Sequence, residues 1–100
     1  MEQDGTIYEG DFKDNMAHGY GRIVFEDGDT YEGEWYEDKF DGQGTYTYAN
    51  GDVYTGGWKQ DQKHGMAVEK YTDGSRYEGK YVRDVRQGDG TFYYTDGAIY

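Results

Sequence analysis

Apolar and polar residues alternate with period two through Thr6-Ile7-Tyr8-Glu9-Gly10-Asp11-Phe12. The same alternation returns as Thr30-Tyr31-Glu32-Gly33-Glu34-Trp35-Tyr36. Side chains of a strand point to opposite faces in turn, so each run places a Tyr, a Gly and a second aromatic on one face and acids on the other. The stretch from Gly21 to Glu26 repeats the pattern, with Gly21, Ile23 and Phe25 together. Asp-Gly and Asn-Gly pairs separate these runs and predict β-hairpins closed by type I′ turns, which need positive φ at both central residues. The other connection in each unit, such as Lys13 to Tyr20, reads as a longer loop ending in Gly-x-Gly. No helical periodicity is present. The sequence holds no Pro, as expected where nearly every strand is central and must donate to a ladder on both sides.

The hairpins recur in one frame. The turn dipeptides Asp4-Gly5, Asp27-Gly28, Asn50-Gly51, Asp73-Gly74 and Asp96-Gly97 are spaced by 23 residues throughout. Three residues after each Gly stands a Tyr: Tyr8, Tyr31, Tyr54, Tyr77 and Tyr100. Gly10, Gly33, Gly56 and Gly79 follow, then the aromatics Phe12, Trp35, Trp58 and Tyr81. A second glycine cluster comes next, and each unit closes on Phe25, Tyr48, Tyr71 or Tyr94. The glycine between two same-face aromatics is expected to open a slot for a neighbouring ring. The third unit departs most, with Gly57 in place of an acid, Ala67 for Gly and Glu69 where others carry Ile23, Tyr46 or Phe92.

Stacked in order, these units predict an all-β fold. It is an elongated, single-layer, twisted antiparallel sheet of 23-residue β-hairpin repeats, at about 4–26, 27–49, 50–72 and 73–95 with a partial copy at 96–100. Each unit would contact mainly its neighbours. Open strand edges at the two ends call for further repeats or a second chain to cover them.

Composition sharpens this. The chain has 100 residues and a formal net charge of −11, with no Leu and only twelve Ile, Val and Phe together. That balance alone would suggest disorder. Thirteen tyrosines and a 19% aromatic content argue instead for a folded array whose apolar surface is aromatic. With no Cys, disulfides, thiolate metal sites and Cys nucleophiles are excluded, and a cytoplasmic setting, with possible cytoskeletal or membrane association, is expected. The acidic start carries no secretory leader, and no apolar run reaches the roughly 20 residues of a membrane helix. Acid excess argues against nucleic acid. The charge is uneven: residues 1–50 hold thirteen acids and three bases, and 51–100 hold eight and seven.

Taken with its copies, the unit from Asp27 to Tyr48 (DGDTYEGEWYEDKFDGQGTYTY) resembles the MORN repeat (membrane occupation and recognition nexus), over residues 4–100. The resemblance implies stacked hairpins in one sheet. It also implies a scaffolding, dimerising or partner-binding role, with lipid binding proposed for some members. It supplies no catalytic residue.

The candidate sites divide accordingly. Ser75 sits in a turn without a converging base, and His18 and His64 occupy a loop position shared with Asp41 and Gln87. About 19 Å separates the two histidines at strand spacing, too far to share a metal. The acids from Glu26 to Asp29 lack a calcium-loop spacing, and the Gly-x-Gly pairs lack the rest of a phosphate-binding motif. Catalytic, cofactor and metal sites are therefore not expected. A single-layer sheet cannot enclose all its rings, so Tyr8, Tyr31, Tyr54 and Tyr77, or Phe12, Trp35, Trp58 and Tyr81, are expected to line a groove for an extended or helical protein segment. Self-association through sheet edges is a second expectation. The alternative is a tether binding anionic phospholipid through Arg76, Lys80, Arg83 and Arg86.

Overall fold

The computed structural model describes residues 2–3 and 6–95; Asp4-Gly5, Asp96-Gly97 and Tyr100 lie outside them. Among the described residues nine strands follow one another along a single sheet. They are β1 (Glu2–Gln3), β2 (Thr6–Lys13), β3 (Met16–Val24), β4 (Thr30–Tyr36), β5 (Lys39–Thr47), β6 (Val53–Lys59), β7 (Gln62–Lys70), β8 (Arg76–Val82) and β9 (Val85–Tyr93). Spatial order equals chain order, and every neighbouring pair is antiparallel. The extents are 47 × 25 × 16 Å, an elongated slab. The single-layer hairpin array expected from the periodicity is the observed fold.

The turns fall differently from expectation. The two-residue turns with positive φ at both centres are Asp14-Asn15, Glu37-Asp38, Gln60-Asp61 and Arg83-Asp84. They lie within the stretch read as a long loop, and β3 accordingly begins at Met16 rather than Gly21. At Asp27-Gly28 only the glycine has positive φ, 100°. There the Gly28 N–H donates to Phe25 C=O at 3.0 Å and the Phe25 N–H to Asp29 C=O at 2.8 Å, closing a three-residue loop. The sequence rule favours Asn-Gly and Asp-Gly for tight turns. In the two-residue turns Asp38, Asp61 and Asp84 hold the left-handed conformation because each carboxylate is held by the preceding hairpin.

That hold couples one unit to the next. The Asp38 carboxylate accepts the Ala17 N–H at 2.7 Å, Asp61 that of Phe40 at 2.8 Å, and Asp84 that of Lys63 at 2.7 Å. In return the N–H groups of Asp38, Asp61 and Asp84 donate to the carbonyls of the same three residues at 2.9–3.0 Å. The last three tight turns are thus clamped to the preceding hairpin by two bonds each.

The Gly-x-Gly segments form bulges within strands rather than loop ends. Gly10 pairs with Gly21 and Phe12 with Ala17, so Asp11 of β2 faces three residues of β3. The shift recurs between Gly33 and Trp35 and between Gly56 and Trp58. Bulge amides find partners on the same hairpin: Gln43 N–H donates to the Glu34 carboxylate at 2.6 Å and Tyr20 N–H to Asp11 at 3.2 Å.

Tyrosine fills the space over the paired glycines. Tyr31 lies over Gly33 and Gly44, and its hydroxyl donates to Glu34 C=O at 2.7 Å. Tyr8 and Tyr54 repeat the bond, to Asp11 and Gly57 C=O, at 2.7 Å each. The slot left by glycine is therefore taken by the Tyr of the same strand, while neighbouring units pack on that Tyr's edge. Trp35 meets Tyr8 at 5.1 Å and Tyr31 at 5.3 Å, both edge-on, and its indole N–H donates to Gly21 C=O of the preceding hairpin at 3.0 Å. Trp58 repeats this on Tyr31 and Gly44.

A Cβ on Gly44 would fall onto the Tyr31 ring. Gly44→Ala is therefore expected to cost about 1–3 kcal/mol by overpacking, read as a lower midpoint in chemical denaturation. Gly65→Ala, where φ is +93° but no atom stands within 4 Å of the added carbon, is expected to cost only the backbone strain of about 1–2 kcal/mol.

Candidate functional site

All buried apolar residues lie on one face of the sheet. Tyr8, Tyr31, Tyr54 and Tyr77 are buried, as are Trp35, Trp58 and Tyr81. Of the eight rings expected to line a groove, only Phe12 is open, at 51% exposure, with its edge against Tyr8. The two aromatic rows are thus the packed layer itself, and they hold each other edge-on along the array.

The open part of this face lies beside those rows. A depression of about 720 Å³ is floored by Ile23, Phe25, Trp35, Phe40 and Tyr46 and rimmed by Thr6 and the acids Glu26, Asp27, Asp38 and Asp61. Two ends of the hairpins build its walls. Glu26 and Asp27 come from the three-residue loop, and Asp38 and Asp61 from consecutive tight turns. Its floor is fixed by ring packing: Phe40 stacks on Tyr31 at 3.9 Å, stands edge-on to Trp35 at 4.9 Å, and meets Phe25 and Tyr46 at 6.4 and 6.0 Å. The Tyr46 hydroxyl donates to Asp29 at 2.8 Å, so its ring cannot swing freely. Phe40 escaped the sequence reading because it follows a tight turn then taken for loop. Phe25 and Tyr46 were legible as same-face residues, but nothing in the pattern showed that their side of the face stays open.

Beyond the depression the same face becomes cationic. The register position held by Ala17 and Phe40 in the first two hairpins holds Lys63 and Arg86 in the next two. The Lys63 ammonium lies 4.9 Å from the Tyr54 ring centre, 5.4 Å from Tyr48 and 5.6 Å from Tyr81, and 3.8 Å from the Glu69 carboxylate. Glu69, the residue that marked the third unit as irregular, is buried and accepts the Tyr81 hydroxyl. The Arg86 guanidinium lies 4.3 Å from the Tyr77 ring and donates to the Tyr71 hydroxyl at 2.6 Å.

The four residues considered for lipid binding do not form one patch. Arg86 belongs to the aromatic face, and Arg83 to a tight turn. Arg76 and Lys80 alternate with the buried Tyr77, Gly79 and Tyr81 and so lie on the opposite face. Arg76 is paired with Glu78 at 2.9 Å and stacked on Tyr93 at 3.8 Å. Among the described residues no helix is long and apolar enough to cross a membrane.

The remaining candidates are engaged locally. The Ser75 hydroxyl donates to Asp73 at 2.6 Å within its own turn. His18 packs on Tyr36 at 5.0 Å. Among the described residues no three His, Cys, Asp or Glu side chains converge as metal ligands would.

The repeat model of the MORN family matches four consecutive segments, 8–30, 31–53, 54–76 and 77–99. This chain belongs to the MORN repeat family. The matched frame has the 23-residue period and begins each unit on its buried tyrosine, Tyr8, Tyr31, Tyr54 or Tyr77. MORN repeats serve in protein or membrane interactions and are binding modules, not known as catalytic ones. No curated protein matches the chain.

Burial pushes the Tyr31, Tyr46 and Tyr54 hydroxyls well above their ordinary range, with nearby carboxylates adding to the effect. Their folded pKa values exceed the unfolded ones, so the stability they contribute is fully present below about pH 10 and is lost as pH rises beyond it. Denaturation midpoints are accordingly expected to be insensitive to these tyrosines up to about pH 10 and to fall steeply above it. Tyr46→Phe, which removes the hydroxyl bonded to Asp29, is expected to flatten part of that alkaline fall.

Proposed function

We propose that the array is a non-catalytic interaction scaffold that holds a segment of a protein partner along its aromatic face. The observation that carries this is the depression over Ile23, Phe25, Phe40 and Tyr46. Its apolar floor is preformed by ring packing and fixed by hydrogen bonds, so binding would order little of the array. Its polar groups stand at the rim, as in protein interfaces. Among the described residues the opposite face bears exposed Ile7, Tyr20, Tyr36 and Met66 among Thr, Glu and Lys side chains rather than a packed aromatic floor.

Affinity capture of partners by the native array, a Phe25→Ala variant and a Tyr20→Ala/Tyr36→Ala variant separates the two faces. Phe25 is half-buried and borders the depression, whereas Tyr20 and Tyr36 are exposed on the other side. Circular dichroism establishes that each variant is folded. Recovery is expected to fall about tenfold with Phe25→Ala, in line with the loss of an aromatic anchor, and to be unchanged with the double variant. Recovery lost only with the double variant would move the binding surface to the opposite face and end this reading.

A further inference from the structure

The aromatic face supplies its own cations in its second half and none in its first. Lys63 sits among Tyr48, Tyr54 and Tyr81 with Glu69 beside it, and Arg86 sits on Tyr77 with Phe92 at 5.8 Å. Each places a positive group over ring faces, where the ring quadrupole attracts it. One hairpin earlier, the equivalent register position is Phe40 and the equivalent of Glu69 is Tyr46. The rings are present there, the acids Glu26, Asp27, Asp38 and Asp61 surround them, and among the described residues no Lys or Arg lines the depression.

We propose that the depression selects a basic amphipathic segment of a protein partner. Its apolar residues lie on Phe25, Phe40 and Tyr46, and its Lys or Arg side chains reach the rim acids. The inference rests on the reading of this face as the partner-binding surface and adds the chemistry of the partner. Three observations converge on a cation. The floor is aromatic, the rim carries four carboxylates with no basic residue among the lining groups, and the same fold position one repeat later is occupied by an ammonium over three rings. Carboxylates at a rim steer a basic segment and fix its register, while apolar contact on the floor supplies the hold. An acidic or uncharged segment would leave four carboxylates beside a desolvating partner without compensation. Asp38 and Asp61 carry a second function here. One oxygen of each accepts a backbone N–H of the neighbouring repeat, which pins the carboxylate at the wall.

The test uses three synthetic helix-forming peptides with the same leucine pattern, bearing Lys, Gln or Glu at the polar positions. Each is titrated into the native array by calorimetry at low and physiological salt. Two variants of equal net charge are compared with it. One neutralises the rim by Glu26→Gln, Asp27→Asn, Asp38→Asn and Asp61→Asn, whose amide oxygens can still accept the turn hydrogen bonds. The other neutralises acids away from the depression by Glu9→Gln, Asp11→Asn, Glu32→Gln and Glu34→Gln. The Lys peptide is expected to bind the native array at least about tenfold more tightly than the Gln peptide, with the Glu peptide weakest. The rim variant is expected to lose that preference and the second variant to keep it. Equal loss in both variants would show attraction to overall charge and overturn the proposal. Gln and Lys peptides binding alike would overturn cation selection yet leave the binding surface standing. If none of the peptides binds, the proposal falls, and the capture experiment decides separately whether this face binds partners at all.

Discussion

One contact organises this molecule: a tyrosine ring laid over two glycines that face each other across a hairpin. Tyr31 over Gly33 and Gly44 is the clearest example, and its hydroxyl reaches the Glu34 carbonyl. A single-layer sheet has no second layer to bury its apolar face, and this chain has no leucine to make one. The tyrosine solves both problems within one hairpin. It covers backbone that would otherwise face water, and its hydroxyl satisfies a carbonyl exposed by the bulge. Glycine opens that space: a Cβ on Gly44 would enter the Tyr31 ring and one on Gly33 the backbone of the facing strand, and only the third hairpin admits a methyl group there, at Ala67. The pleat and bulge place these positions opposite one another, Gly10 with Gly21, Gly33 with Gly44 and Gly56 with Ala67, and so set the register of the first three hairpins.

The couplings between units follow from that geometry. With the tyrosine flat on the sheet, its edge faces the next hairpin, and Trp35 or Trp58 meets that edge and donates its N–H back to the previous unit. The tight turn contributes the second link, an aspartate in the left-handed region whose carboxylate and amide both bond the preceding strand. Both links join adjacent units, so stability is transmitted from neighbour to neighbour, as in other solenoid-like arrays. The third hairpin keeps these links while replacing two apolar positions with Lys63 and Glu69. Their mutual pairing, with Tyr81 and the surrounding rings, compensates charges that would be costly alone on this face.

The variation that shapes the open part of the face lies at two register positions. Ala17, Phe40, Lys63 and Arg86 share one such position, and Ile23, Tyr46, Glu69 and Phe92 share another. Along these two lines the face passes from aromatic, acid-rimmed and open to aromatic and internally neutralised. A repeat fold thereby presents a localised surface while keeping the tyrosine of every unit.

The period of 23 residues, the alternation within Thr30–Tyr36, the facing of Tyr, Gly and Trp to one side, and the array architecture were all present in the sequence, because period-two patterning and regular glycine spacing act locally. Where the turns fall was not, because Asp14-Asn15 and Glu37-Asp38 do not carry the glycine that usually marks a tight turn. At Glu37-Asp38 the conformation is held by the Asp clamp, a contact with Ala17, 21 residues away in the preceding unit. The same holds for the aromatic rows. The sequence placed Tyr31, Trp35, Tyr54 and Trp58 on one face, but whether a ring is packed or open depends on the next hairpin. Only the tertiary structure decided that these rings, with Phe40, bury one another and that half-buried Phe25 and Tyr46 border the open depression, since burial is set by neighbours the local pattern does not contain.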